Sequence, residues 1–157
     1  MPRITPWLWF DTQAEEAAQF YVTVFPHSEI TAISRYGPGM PQPEGSVMAV
    51  VFRLDGQEYA ALNGGPHLTF SEAVSFQIHC GSQAEVDHYW TALTDGGEES
   101  MCGWLKDRFG VSWQVVPDGL SELINDPDPG RAQRAMQAML GMRKLDLAAM
   151  RRAADGS

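Results

Sequence analysis

Two stretches of this chain, starting at residues 4 and 74, read alike, and that duplication constrains the fold more than any single residue does. Ile4-Thr5-Pro6-Trp7-Leu8-Trp9-Phe10 runs on to Gln13-Ala14-Glu15. Val74-Ser75-Phe76-Gln77-Ile78-His79-Cys80 runs on to Gln83-Ala84-Glu85. In both, a short strand-like run leads through a polar junction into an amphipathic helix. Spacing of three and four places Ala17, Phe20, Tyr21 and Val24 on the buried face of the first helix, and Val86, Tyr89, Trp90 and Leu93 on that of the second. Pro26 ends the first by removing a backbone donor, and Gly96-Gly97 ends the second by allowing a left-handed cap.

Further strands follow each helix: 29–36, 46–54 and 57–62 in the first half, 98–106 and 111–116 in the second. Asp55-Gly56 and Phe109-Gly110 supply the hairpin turns. The segment GPGMPQPEG, residues 37–45, is too rich in proline and glycine for strand interior and reads as a mobile loop. From Asp126 the pattern turns helical again. DPDPG opens a helix with Ala132, Ala135, Met136, Met139 and Leu140 on one side, and Asp146 caps a second, shorter one. The methionines of this tail suit packing on its own domain or on a sister subunit. The expected fold class is α+β. Residues 1–125 make one domain of two modules, 1–70 and 71–125, and residues 126–157 a helical tail.

Charge and composition remove several functions. Eleven basic against twenty acidic residues give a formal charge of −9, which repels nucleic-acid phosphates and anionic membranes. No apolar run approaches the roughly 20 residues that cross a bilayer. The N-terminus MPRITPWLWFD has neither the basic start nor the long apolar stretch of a secretion signal, and Cys80 and Cys102 lack CxxC spacing. A cytoplasmic protein is expected.

The residues carry a resemblance as well. Ile4–Asp11, Ala14-Glu15-Glu16-Ala17, Phe25-Pro26-His27-Ser28, Leu62-Asn63-Gly64-Gly65-Pro66, and above all Cys102–Asp107 running on to Phe109–Gln114, are similar to the PhnB-like branch of the vicinal oxygen chelate superfamily. That branch carries the label 3-demethylubiquinone 3-methyltransferase, and the superfamily includes glyoxalases, bleomycin-resistance proteins and dioxygenases. The resemblance implies two βαβββ modules whose curved mixed sheets surround a cleft, and a homodimer. In metal-using members it implies four ligands, from the first and last strands of each module.

Those relatives often end on a DxxG turn with a glutamate four residues after the glycine. Here Asp107–Gly110 makes the turn, and Gln114 stands at the glutamate's place. A neutral amide adds no charge to a cation site. The matching position of the first module is Ala60 or Ala61, depending on register, and the first strands offer Thr5, Trp7 and Trp9, then Ser75, Gln77 and His79. His79 is the one good ligand among them, so no metal and no cofactor are expected. An S-adenosylmethionine site needs a glycine-rich strand-to-helix loop in a parallel sheet. No such unit is legible, and no nucleophilic triad either.

What remains is a cleft with Trp7, Trp9, Asn63, Gln77, His79, Trp104, Ser112 and Gln114 as candidate ligand-binding residues and no identified catalytic group. Trp104 and Trp113 fit either cleft or core. Such a lining suits a small, partly aromatic molecule. A metal-dependent lyase or dioxygenase, and a non-catalytic drug-sequestering protein, are the alternatives. Whether catalysis occurs is not readable from these residues.

Overall fold

The computed structural model describes residues 2–156, so Met1 and Ser157, the ends of the expected module and tail ranges, lie outside the described residues. The chain divides into two compact units, residues 1–70 and 71–157.

The first unit has the order β1 (Trp7–Phe10), α1 (Ala14–Val24), β2 (Glu29–Arg35), β3 (Val47–Leu54) and β4 (Gln57–Asn63). Its sheet runs β1-β4-β3-β2, with β1 and β4 parallel and the other pairs antiparallel. Alternation along the strands gives the sheet two unlike faces. Leu8, Phe10, Val50, Phe52 and Ala61 meet the helix, where Ala14, Ala17, Ala18, Tyr21 and Val24 are buried. Small residues on α1 let the helix lie close, and Tyr21 stacks on Phe52, ring centroids 6.1 Å apart. Phe20, expected inside, is half-buried instead; the alanines at 14 and 18 fill the contact. The loop at 37–45 is tied at its base by Tyr36, whose N–H donates to Ser46 and whose carbonyl accepts from Gly45.

The second unit repeats this plan. It comprises β5 (Phe76–Cys80), α2 (Gln83–Thr94), β6 (Glu98–Glu99), β7 (Trp104–Lys106) and β8 (Ser112–Pro117), ordered β5-β8-β7-β6 with β5 and β8 parallel. All four residues expected on the buried face of α2 are buried there, and Gly96 takes the left-handed conformation (φ 75°) that ends the helix. One expectation is corrected: residues 98–106 form two strands, not one. Cys102 (φ 60°) and Gly103 (φ 85°) turn the chain, so Cys102 lies in a turn rather than in an apolar strand. A Cβ at Gly103 would stand 2.8 Å from the Val115 carbonyl, a close approach that needs glycine.

The tail belongs to this second unit. α3 (Leu120–Ile124), α4 (Pro129–Leu140) and α5 (Leu147–Asp155) enclose Leu120, Leu123, Ala135, Leu145, Met150 and Ala154, with Val116, Met139 and Met142 packed on them. Asp128 and Asp146 cap α4 and α5. Backbone bonds from Cys102 and Gly103 to the Met142 and Arg143 carbonyls, both 2.8 Å, clip the tail to the β6–β7 turn. Lys144 pairs with Asp87 of α2 at 2.9 Å, and the Gln83 amide donates to the Leu145 carbonyl at 2.9 Å. Among the described residues no helix is long and apolar enough to cross a membrane.

Candidate functional site

The face of the second sheet turned away from α2 gathers the polar groups, with Val116 at its end packed on the tail helices. Parallel pairing of β5 with β8 sets Gln77 beside Gln114 and His79 beside Val116, and antiparallel pairing of β7 with β8 sets Trp104 beside Gln114 and Lys106 beside Ser112. Five expected site residues, Gln77, His79, Trp104, Ser112 and Gln114, therefore share one surface. Gln77 and His79 are exposed, Trp104 and Gln114 half-buried, and Ser112 buried. The Gln114 amide nitrogen donates to Ser75 Oγ at 2.8 Å, which fixes the side chain across the sheet.

The other candidates have different placements. Trp7 lies on the helix-free face of the first sheet, 59% exposed. Trp9 packs its indole against Gly64, where a Cβ would come within 2.2 Å of the ring, and donates to the Gly65 carbonyl at 3.0 Å. It holds the Gly64-Gly65 loop in place. Asn63 is buried and fully engaged: its Oδ1 accepts from the Ala14 N–H at 2.8 Å, capping α1, and its Nδ2 donates to the Val47 carbonyl at 3.1 Å. Trp113 points to the helix side, buried, and donates to Asp107 Oδ2 at 2.8 Å. Of the two tryptophans left between cleft and core, Trp113 is core and Trp104 lies on the open face.

Asp107, which opens the DxxG turn, organises that turn below this surface through its carboxylate. Its carboxylate, 3% exposed, accepts from the Phe109 and Val111 N–H groups as well as from Trp113. The signal was the DxxG spacing itself, since an aspartate opening a tight turn can accept from the amides beyond it. Lys106, next in the chain, forms an ion pair with Glu72. That bond first, and Glu98 nearby, hold its ammonium above the ordinary lysine value.

For a divalent metal, the paired first-strand and last-strand positions matter. In the second sheet they are two amides, Gln77 and Gln114; in the first they are Trp7 and Ala60, which settles the register left open between Ala60 and Ala61. Two neutral amides and no carboxylate do not suit a divalent cation. No three His, Cys, Asp or Glu side chains cluster as a metal cage among the described residues. For a nucleophile, Cys80 is buried beneath α2, and burial with the nearby Glu85 and Asp118 pushes its thiol up to about 11. It stays a thiol at neutral pH.

Comparison with known proteins agrees with this fold. The family model described as 3-demethylubiquinone-9 3-methyltransferase matches residues 2–116. A PhnB protein from Bacillus cereus is 36% identical, with 74% of this chain and 99% of that one covered, at a TM-score of 0.68. A Pseudomonas aeruginosa protein is 23% identical over 74% of this chain and 98% of its own, at 0.63, and shares the fold. So does the fosfomycin resistance protein FosX of Listeria monocytogenes, solved with Mn(II) and sulfate, at 14% identity, 77% and 93% coverage and 0.54. No curated protein sequence matches the chain.

Proposed function

Because this chain belongs to the PhnB-like, 3-demethylubiquinone-9 3-methyltransferase family of the glyoxalase and bleomycin-resistance fold, we propose that it binds a small, partly aromatic molecule on the face of its second sheet turned away from α2, without a metal. The observation that carries this reading is the pair Gln77 and Gln114, neutral amides side by side with the half-buried Trp104 indole. A planar ligand stacked on the indole would meet amide donors and acceptors at its edge. Any catalysis there works without Lewis-acid help, through hydrogen bonds from these amides.

The family's descriptive name speaks of methyl transfer. Each module is a mixed sheet with one helix on it, and the β5–α2 junction is closed by Ser82, whose side chain accepts from Glu85 N–H at 3.2 Å. That helix end is already occupied by its own cap and offers no glycine-rich cradle for a methyl donor. The first sheet's exposed Trp7, with the exposed edge strand β2 carrying Ile33, supports a homodimer, expected at twice the chain mass of 17.3 kDa in light scattering.

Native mass spectrometry of the protein from its own cells, together with a small-molecule binding screen, tests the reading. Retained or screened ligands should be small and planar, and a chelator should leave the melting temperature unchanged, since no metal-binding energy is linked to folding. Stoichiometric metal whose removal lowers the melting temperature would overturn it in favour of the metal-dependent alternative.

A further inference from the structure

A cavity of about 100 Å³, room for about three water molecules, opens at the Ser112 end of the second sheet. Trp104, Lys106, Ser112, Ser100, Glu72 and Glu98 line it. Ser112 is 3% exposed, and its hydroxyl has no hydrogen-bond partner among the described residues. A buried hydroxyl left unpaired is costly, so its retention beside a cavity calls for an occupant that pairs with it. The charges say which kind. Lys106 is the one ammonium in the lining, and it stands between two carboxylates, paired with Glu72 and within the field of Glu98. A third lining carboxylate, Glu99, is engaged by the Trp90 indole N–H at 2.9 Å and by Arg143 at 3.5 Å. One negative charge, on Glu98, is left over beside an indole and an unpaired hydroxyl.

We propose that this cavity is a subsite for the ammonium head of a small organic cation, held by Glu98, by the Ser112 hydroxyl as acceptor and by the face of Trp104. An ammonium brings three donors and no acceptor, which suits a carboxylate and a hydroxyl oxygen. An indole adds attraction to a cation placed over its ring. The remainder of the ligand would extend along the sheet toward Gln114 and Gln77. The inference rests on the small-molecule reading above and narrows it to ligands that carry an amine.

The test titrates the full chain, by calorimetry and by amide NMR shifts at Ser112 and Lys106, with three probes of one shape: 2-phenylethylammonium, 2-phenylethanol and phenylacetate. The ammonium should bind about tenfold or more tighter than the alcohol, the effect of one charge-assisted hydrogen bond. Glu98→Gln should bring the two near parity. Ser112→Ala should weaken the ammonium several-fold while raising the melting temperature, because it deletes an unpaired buried hydroxyl; a serine kept for structure would lower the melting temperature instead. Equal binding of ammonium and alcohol, or preference for phenylacetate, would overturn the ammonium subsite and leave the small-molecule reading standing. Absence of shifts at Ser112 and Lys106 with all three probes would overturn the subsite too, and the broader reading falls only if the ligand screen is also empty.

Discussion

The two modules share one plan, and their pairings can be laid side by side: Trp7 with Ala60, Trp9 with Leu62 and Phe10 with Asn63 in the first, against Gln77 with Gln114, His79 with Val116 and Cys80 with Pro117 in the second. On the helix side both are apolar apart from the capping Asn63, because each must bury the face of an amphipathic helix. On the other side they part. At the paired positions the first presents tryptophan and aliphatic groups, with charged Glu29, Arg53 and Glu58 toward the β3–β4 turn, and the second presents amides, a histidine, a lysine and a serine. A duplicated fold thus keeps what packs the helix and is free to change what faces away from it, and in the second sheet that face brings two amides, a histidine and a serine together.

The helix starts show the same divergence. α1 is capped from a distance by Asn63 at the end of β4, while the equivalent residue in the second module, Pro117, has no such side chain, and α2 is capped locally by Ser82. Hairpin turns differ too. Asp55-Gly56 is exposed, with Asp55 at φ 47°, whereas Asp107 is buried beneath three donors.

Three comparisons can break or sharpen this contrast, and the largest effect is expected at the turns. Asp107→Ala strands the Trp113 indole and two amides in the core, and denaturant unfolding should show a loss of about 3–4 kcal/mol; Asp55→Ala, in the exposed turn, should cost under about 1 kcal/mol. Similar losses at both would erase the distinction.

The caps come next. Asn63→Ala leaves both the Ala14 N–H and the Val47 carbonyl unpaired and should cost about 2 kcal/mol, against about 1 kcal/mol for Ser82→Ala, which removes one local bond. Thermal melts of the two variants, compared at equal concentration, decide it. If Ser82→Ala proves the more damaging, the distant cap is redundant.

Acid should act last, on the ion pairs that hold and dock the tail. The Lys144 and Gln83 partners hold Asp87 below the ordinary carboxylate range, and the Asp128 N–H with Arg131 does the same for Asp126. The native state therefore binds these protons less readily than the unfolded chain. Their stabilisation is complete above the ordinary value near 4 and fades as pH falls through the lower native values. Hydrogen exchange should show α4 and α5 loosening below about pH 4 before the first unit does. Equal loosening of both units would mean that these pairs contribute nothing to docking the tail.

Much of this was already legible in the linear chain. The repeat at 4 and 74, the two helices with their buried faces, the DxxG turn and the helical tail all follow from local periodicity and turn chemistry, which act over a few residues and leave a local signature. The site was legible only as a set of residue types. Alternation put Ser112 and Gln114 on one face and Trp113 on the other, but which face meets the helix is decided by packing, and the tertiary structure gave Trp113 to the core and Trp104 to the open side. Asn63 looked like a cleft amide because nothing nearby in sequence announces that it caps a helix 49 residues away. The split of 98–106 is not legible in the sequence because Cys102 sits at positive φ, a conformation its residue type does not favour; the turn is held by backbone bonds from Cys102 and Gly103 to Met142 and Arg143 of the tail. Local sequence thus determined the elements and their apolar faces. Long-range hydrogen bonds and burial, which no window of sequence contains, decided which polar side chains are structural and which are left facing a cavity.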